Sequence, residues 1–99
     1  MPPVSARRPI GSFRGRYQFV FGAHLKRYFY TGELLTVEIA KVSGSDRLVI
    51  VSKSLPKSGS GVVFNGTATV AESGPGSYAV RLTSGQGIEA EGTVLVTAP

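Results

Sequence analysis

The chain contains no cysteine and no tryptophan, and only one histidine and one methionine. Without cysteine there is no disulfide, no thiolate metal site and no cysteine nucleophile. The single histidine, His24, excludes a histidine-rich metal cluster, because zinc takes three or four protein ligands. Long apolar runs are missing too. The longest strongly apolar run, Leu48–Val51, falls far short of the roughly 20 residues needed to cross a bilayer as a helix, so no membrane span is expected. No apolar stretch of about 7–15 residues follows the N-terminal arginines, as a secretory signal requires. The protein is therefore read as cytoplasmic rather than secreted, and the lack of cysteine fits a reducing compartment. Acids are absent from the first third. Residues 1–32 carry Arg7, Arg8, Arg14, Arg16, Lys26 and Arg27 with no Asp or Glu, whereas residues 33–99 hold five basic and six acidic residues, which together make the net charge of +5.

What is present points to a single domain. Ninety-nine residues with 41% hydrophobic and 17% charged residues can bury roughly 60–70% of their unfolded surface, enough for a core without staples. Residues 1–11 hold three prolines, two arginines and little to bury, and are expected to form a flexible basic arm before a domain at 12–99. Thirteen glycines argue against helices, since each costs about 1 kcal/mol in a helix interior. Gly and Ser clusters recur at short intervals, for example at Gly22-Ala23, Thr31-Gly32, Ser43-Gly44-Ser45, Ser58–Gly61, Asn65-Gly66 and Ser73–Gly76. Between them lie runs rich in Val, Ile, Thr, Tyr and Phe, the pattern of an all-β sandwich or barrel.

About seven antiparallel segments are expected, over roughly 12–21, 25–31, 34–42, 47–53, 61–72, 77–83 and 88–97, with 61–64 and 67–72 the two short arms of one hairpin. Asn65-Gly66 is read as that hairpin's two-residue turn, both residues tolerating positive φ. Asn65-Gly66-Thr67 also matches the N-glycosylation acceptor, but the turn role accounts for it. Tyr78, Val80 and Leu82 alternate with Ala79, Arg81 and Thr83, which predicts one dry and one wet face. Ile88, Ala90, Gly92, Val94 and Val96 repeat the alternation, with Glu89 and Glu91 on the opposite, wet face.

The stretch Gly76-Ser77-Tyr78-Ala79-Val80-Arg81-Leu82-Thr83-Ser84, followed by Gly87, Ala90 and Val94-Leu95-Val96, resembles the F–G hairpin of intermediate-set immunoglobulin domains. Gly32-Glu33 with Leu35, Val37 and Ala40–Gly44 resembles that family's B strand, and Val51-Ser52-Lys53 its C strand. The resemblance implies that Tyr78 is a tyrosine-corner residue, bonded to backbone a few residues upstream. It also implies that the family's paired cysteines correspond to Ala40 (or Ile39) and Val80, and its core tryptophan to Val51. Fibronectin type III and filamin-type repeats share the Gly-x-Tyr-x-Val pattern.

Seven of the nine aromatics lie between Phe13 and Tyr30, in the acid-free part of the chain. Alternation puts Phe13, Tyr17, Phe19 and Phe21 on one face, expected to be core, and Arg14, Arg16 and Gln18 on the other. Further on, His24, Lys26, Tyr28 and Tyr30 alternate with Leu25, Arg27, Phe29 and Thr31. Arg14, Arg16, Tyr17, Lys26, Arg27, Tyr28 and Tyr30 are thus the candidate partner- or polyanion-binding residues. Arginines can neutralise phosphates while tyrosines stack on bases, each stack worth about 1–3 kcal/mol. No nucleophile elbow, phosphate loop or dinucleotide fingerprint is present, each needing a following helix. The expectation is an antiparallel, immunoglobulin-like β-sandwich without catalytic residues, cofactor or metal, and with no small-molecule ligand. It acts by protein–protein contact or self-association, through its basic face or an exposed edge strand. The alternative is a small β-barrel that binds single-stranded nucleic acid with segment 12–31.

Overall fold

Strict alternation governs the longest strand. From Arg16 to Phe29, Tyr17, Phe19, Phe21, Ala23, Leu25 and Phe29 are buried, while Arg16, Gln18, Val20, His24, Lys26 and Tyr28 are exposed. This is the period of two that a strand with one dry face requires. The computed structural model describes residues 4–7, 16–71 and 74–96. These form β1 (Val4–Arg7), β2 (Arg16–Phe29), β3 (Leu34–Ser43), β4 (Asp46–Pro56), β5 (Gly61–Ala71), β6 (Gly76–Ser84) and β7 (Gly87–Val96).

All pairings are antiparallel and sort the strands into two sheets, β1-β2-β5 and β4-β3-β6-β7. The sheets pack face to face as a β-sandwich, and among the described residues no closed barrel forms, which removes the barrel alternative. Phe19, Phe29, Leu35, Val37, Ile39, Tyr78, Val80 and Leu82 are fully buried between them. Each such side chain contributes about 1.5–3 kcal/mol of burial. Tyr17, Phe19 and Tyr78 meet ring to ring, with centroids 5.5 to 6.3 Å apart. The Tyr78 hydroxyl donates to the Gly74 carbonyl at 2.5 Å, the corner bond that the resemblance implied.

Several expectations are corrected. Segments 12–21 and 25–31 are one strand, β2, and Asn65-Gly66 is not a turn but the interior of β5. The reason is cross-strand: Asn65 pairs with Gly22 and Gly66 with Phe21. A Cβ at Gly66 would lie 2.9 Å from Phe21 Cζ, so the glycine makes room for the buried ring. A Cβ at Gly22 would lie 2.6 Å from Asn65 Oδ1. The two breaker signals thus face each other across one ladder. Val4–Arg7, within the stretch read as an arm, forms a short edge strand on β2. Phe13 and Arg14 lie outside the described residues.

The immunoglobulin register also shifts. Residues 34–43 are the third strand, not the second, and Val51 lies on the fourth. Ile39 pairs directly with Val80 and Ala40 with Ala79 in the same sheet. The positions matched to a cysteine pair that joins two sheets are therefore neighbours within one. Finally, Glu89 is not on a wet face. Leu82 pairs with Ala90 but Thr83 with Ile88, so Glu89 is the extra residue of a β-bulge and turns inward.

Candidate functional site

One end of the sandwich is built from the β2–β3 loop, the β4–β5 loop and the β6–β7 turn. The first two are joined by backbone hydrogen bonds, Gly32 N–H to Lys57 O at 2.9 Å and Lys57 N–H to Glu33 O at 2.8 Å. Gly32 has φ +89°, a conformation glycine adopts at no steric cost, which explains the Thr31-Gly32 turn signal. The Thr31 amide donates to Ser60 Oγ at 3.0 Å, and Glu33 Oε1 accepts from the Tyr30 amide at 2.8 Å. Lys57 is buried, its ammonium bonded to the Gly59 carbonyl at 2.6 Å. With backbone and side chains both engaged, the loops hold each other in place.

Beneath these loops the inward-turned Glu89 meets β2. The β2–β5 register slips between His24 and Phe29, so an irregular stretch of β2 stands opposite the bulge of β7. Glu89 is fully buried and accepts from Arg27 Nε at 3.2 Å and from Ser84 Oγ at 2.5 Å. Lys26 Nζ lies 3.8 Å from Glu89 Oε1, an oxygen with no hydrogen-bond partner among the described residues. Arg27 also reaches Glu33 at 3.5 Å, and its guanidinium carbon sits 3.6 Å from the centre of the Phe29 ring. This cluster ties the two sheets together at one end.

The candidate residues of β2 are therefore divided. Tyr17 is buried against Phe19 and Tyr78, so it packs the core and leaves the candidate surface. Arg16 is exposed at the start of β2, while Tyr28 stands near its other end, roughly 35–40 Å away at about 3.3 Å per residue. Lys26 and Arg27 are balanced by Glu89 and Glu33, a compensation that alternation alone does not reveal. Tyr28 and Tyr30 are 53% and 67% exposed, with ring centroids 5.2 Å apart in an edge arrangement. The structure thus brings Lys26, Arg27, Tyr28 and Tyr30 to one end and leaves Arg16 at the other.

Charge distributes by sheet. The strands β1, β2 and β5 carry Arg7, Arg16, Lys26 and Arg27 and no acid. On the four-stranded sheet Lys41, Arg47, Lys53 and Arg81 are matched in number by Glu38, Asp46, Glu89 and Glu91. There Arg47 pairs with Glu38, and Arg81 Nε with Glu91 at 2.5 Å. Glu89 and Glu91, two residues apart, thus engage different cations and make no carboxylate pair.

The sheets end in β1 and β5 and in β4 and β7, and β4 and β5 are the longest of these edge strands. β4 and β5 are each eleven residues and each is bonded on one side only among the described residues. They form the same flank of the sandwich, since Leu55 Cδ1 of β4 approaches Gly66 of β5. Leu48 and Val49 on β4 are 64% and 47% exposed, and Val62 and Val63 on β5 are exposed as well. Among the described residues no group of three or more His, Asp or Glu could hold a metal ion, and no helix is long and apolar enough to cross a membrane.

No protein-family model matches the chain, and no curated protein matches it. Among solved structures, β-glucosidase 3B from Thermotoga neapolitana in complex with α-D-glucose is similar over 98% of this chain and 16% of that one, at 18% identity and a TM-score of 0.44. DesR, a β-glucosidase from Streptomyces venezuelae in complex with D-glucose, is similar over 97% of this chain and 15% of that one, at 13% identity and a TM-score of 0.40. The chain spans about one sixth of the length of these enzymes, a domain-sized segment.

Proposed function

We propose that the protein is an immunoglobulin-like, non-catalytic β-sandwich module that acts through protein–protein contacts made along an exposed strand edge. The supporting observation is the flank formed by β4 and β5, two eleven-residue strands that are each bonded on one side only among the described residues. Such an edge offers a row of amides and carbonyls to an incoming strand, and main-chain bonds then supply affinity. The immunoglobulin-like assignment draws on strand order: the constant-type arrangement puts its fourth strand beside the fifth, and here β4 has moved across to the edge of β3. The Tyr78 corner bond accords with it.

The test is selection of peptides from a displayed random library on the immobilised full chain, followed by amide-exchange mapping with a selected peptide. Slowed exchange along β4 or β5 is expected. Failure to select any peptide, or protection confined to the loop end, refutes the proposal.

A second reading, single-stranded nucleic-acid binding by the sandwich, has the exposure of Tyr28 and Tyr30 in its favour. The pairing of Lys26 and Arg27 with Glu89 and Glu33 weighs against it. Titration of labelled single-stranded DNA and RNA separates the two. Salt-sensitive binding lost in both Tyr28→Ala and Arg16→Ala supports nucleic acid, and no binding at low salt ends that reading.

A further inference from the structure

We infer that β5 is the strand edge in use and that its occupant is an acidic, extended segment of a partner protein, which adds to the three-stranded sheet as a fourth strand. The inference rests on the edge-strand reading above and specifies which edge and what chemistry.

The two edges of the β4–β5 flank are not equivalent. Natural sheets protect an edge with charge, an inward lysine, a bulge or a proline. β4 has all of these: Asp46 and Arg47 at one end, Lys53 in its second half, Pro56 at the other end, and a bulge where Ile39 pairs with Val51 but Ala40 with Val49. β5 reads Gly-Val-Val-Phe-Asn-Gly-Thr-Ala-Thr-Val-Ala and has no charge and no proline. Its register against β2 is unbroken from Ala71 to Val63. The outward side chains Val63, Asn65, Thr67 and Thr69 are exposed, and Thr and Val suit a strand interior. Among the described residues nothing blunts this edge.

Charge selects the occupant. The described strands of the sheet that β5 ends carry no acid; Arg27 is taken up by Glu89 and Glu33, Lys26, half-exposed, is shared with Glu89 at 3.8 Å, and exposed Arg16 projects from the outer face of β2 opposite Ala71 of β5. A strand added to β5 would lie about 10 Å from β2, within reach of those long side chains and close to one screening length at 0.1 M salt. On the inner side Lys53 stands exposed on the same flank. It pairs with buried Val37, so it shares the core-facing side of β4. Acidic side chains on either face of an incoming strand would therefore meet cations. A second copy of this chain would instead set one acid-free sheet against another, each on a molecule of net charge +5.

The experiment uses the full chain and a fluorescein-labelled probe of about ten residues alternating glutamate with valine and threonine. Controls are the same peptide with lysine for glutamate, and one with a central proline. The expected result is micromolar binding by anisotropy, at least about tenfold weaker for each control, with slowed amide exchange along β5. Thr67→Glu/Thr69→Glu, both at exposed positions, should weaken the acidic probe at least about tenfold, while Val49→Glu on β4 leaves it within about twofold. Should the double variant fail to fold by circular dichroism, Thr67→Glu alone carries the comparison, and the peptide controls need no variant. Equal binding of the lysine and glutamate probes, or indifference to the β5 substitution, overturns the inference. Sedimentation that shows a dimer dissolved by Thr67→Glu overturns it in favour of a second copy. Protection along β4 overturns the choice of edge yet leaves the edge-strand reading standing, whereas a selected peptide that protects neither edge removes both.

Discussion

Removing Arg27 should cost more than removing the charge it neutralises. Glu89 is fully buried, and its carboxylate is held by Arg27 at 3.2 Å, Ser84 at 2.5 Å and, more distantly, Lys26 at 3.8 Å. At an effective dielectric of about 20, two unit charges at that 3.2 Å separation attract by about 5 kcal/mol, against a desolvation cost of several kcal/mol per buried ion. The net value of the pair is therefore small, but the cost of orphaning one member is not. Arg27→Met preserves the aliphatic stem over Phe29 while leaving a buried carboxylate with Ser84 and Lys26 alone. Breaking such a pair costs about 3–5 kcal/mol, and access for water at Arg27, 30% exposed, lowers this to about 2–4 kcal/mol. Glu89→Gln keeps the shape and the Ser84 bond, and Arg27 retains Glu33 and solvent, so its cost is about 1 kcal/mol. The decisive outcome is a change of sign. In the Arg27→Met background, Glu89→Gln should stabilise, because it removes the orphaned charge, with a coupling of about 1–3 kcal/mol. Urea unfolding followed by far-ultraviolet circular dichroism reads all four corners of the cycle. Additive effects, or a smaller loss for Arg27→Met than for Glu89→Gln, would refute the account.

Other sites make smaller statements. Tyr78→Phe removes the donor to the Gly74 carbonyl and should lower stability by about 1 kcal/mol in the same assay, with no loss of packing. Gly66→Ala forces a Cβ to within 2.9 Å of the Phe21 ring and should cost about 1–3 kcal/mol, an effect that Phe21→Leu in the same chain should relieve. Glu33→Gln weakens the tie to Arg27 but keeps an acceptor for the Tyr30 amide; the midpoint should fall by under about 1 kcal/mol equivalent, since the Arg27–Glu33 contact is part-exposed. Leu48→Lys at an exposed position of β4 should leave the unfolding midpoint nearly unchanged.

The strand faces were legible because alternation is a local property. Tyr17, Phe19 and Phe21 of β2, and Tyr78, Val80 and Leu82 of β6, are buried as period two requires. What could not be read locally was the meaning of a glycine. Gly22-Ala23 and Asn65-Gly66 look like two interruptions, and each on its own is a turn signal. They are instead one structural feature seen twice, because Gly22 lies opposite Asn65 and Gly66 opposite Phe21. Two small residues in separate strands accommodate each other's larger neighbours, and only the pairing partner shows it.

The charge around the candidate surface is less legible than the strand faces. Charge counted along the chain makes residues 1–32 a uniform cationic block, but Lys26 and Arg27 are answered by Glu89 and Glu33, one of them more than sixty residues away. That compensation depends on the bulge at Glu89, which moves a carboxylate from the wet face to the interior. A bulge has no dependable signature in Gly-Ile-Glu-Ala-Glu-Gly, so alternation puts both glutamates outside. Counting charge by sheet instead of by segment gives a different surface. On the four-stranded sheet Arg47 and Arg81 are paired with Glu38 and Glu91, Lys26 and Arg27 at the loop end are held by Glu89 and Glu33, and exposed Arg16 lies on β2 beside an edge strand with no charge of its own. The basic face and the open edge, which look like separate features in the sequence, belong to one three-stranded sheet. A partner strand that docks on β5 would use both at once, the backbone of β5 for affinity and the cations around it for choosing an acidic sequence over a basic one.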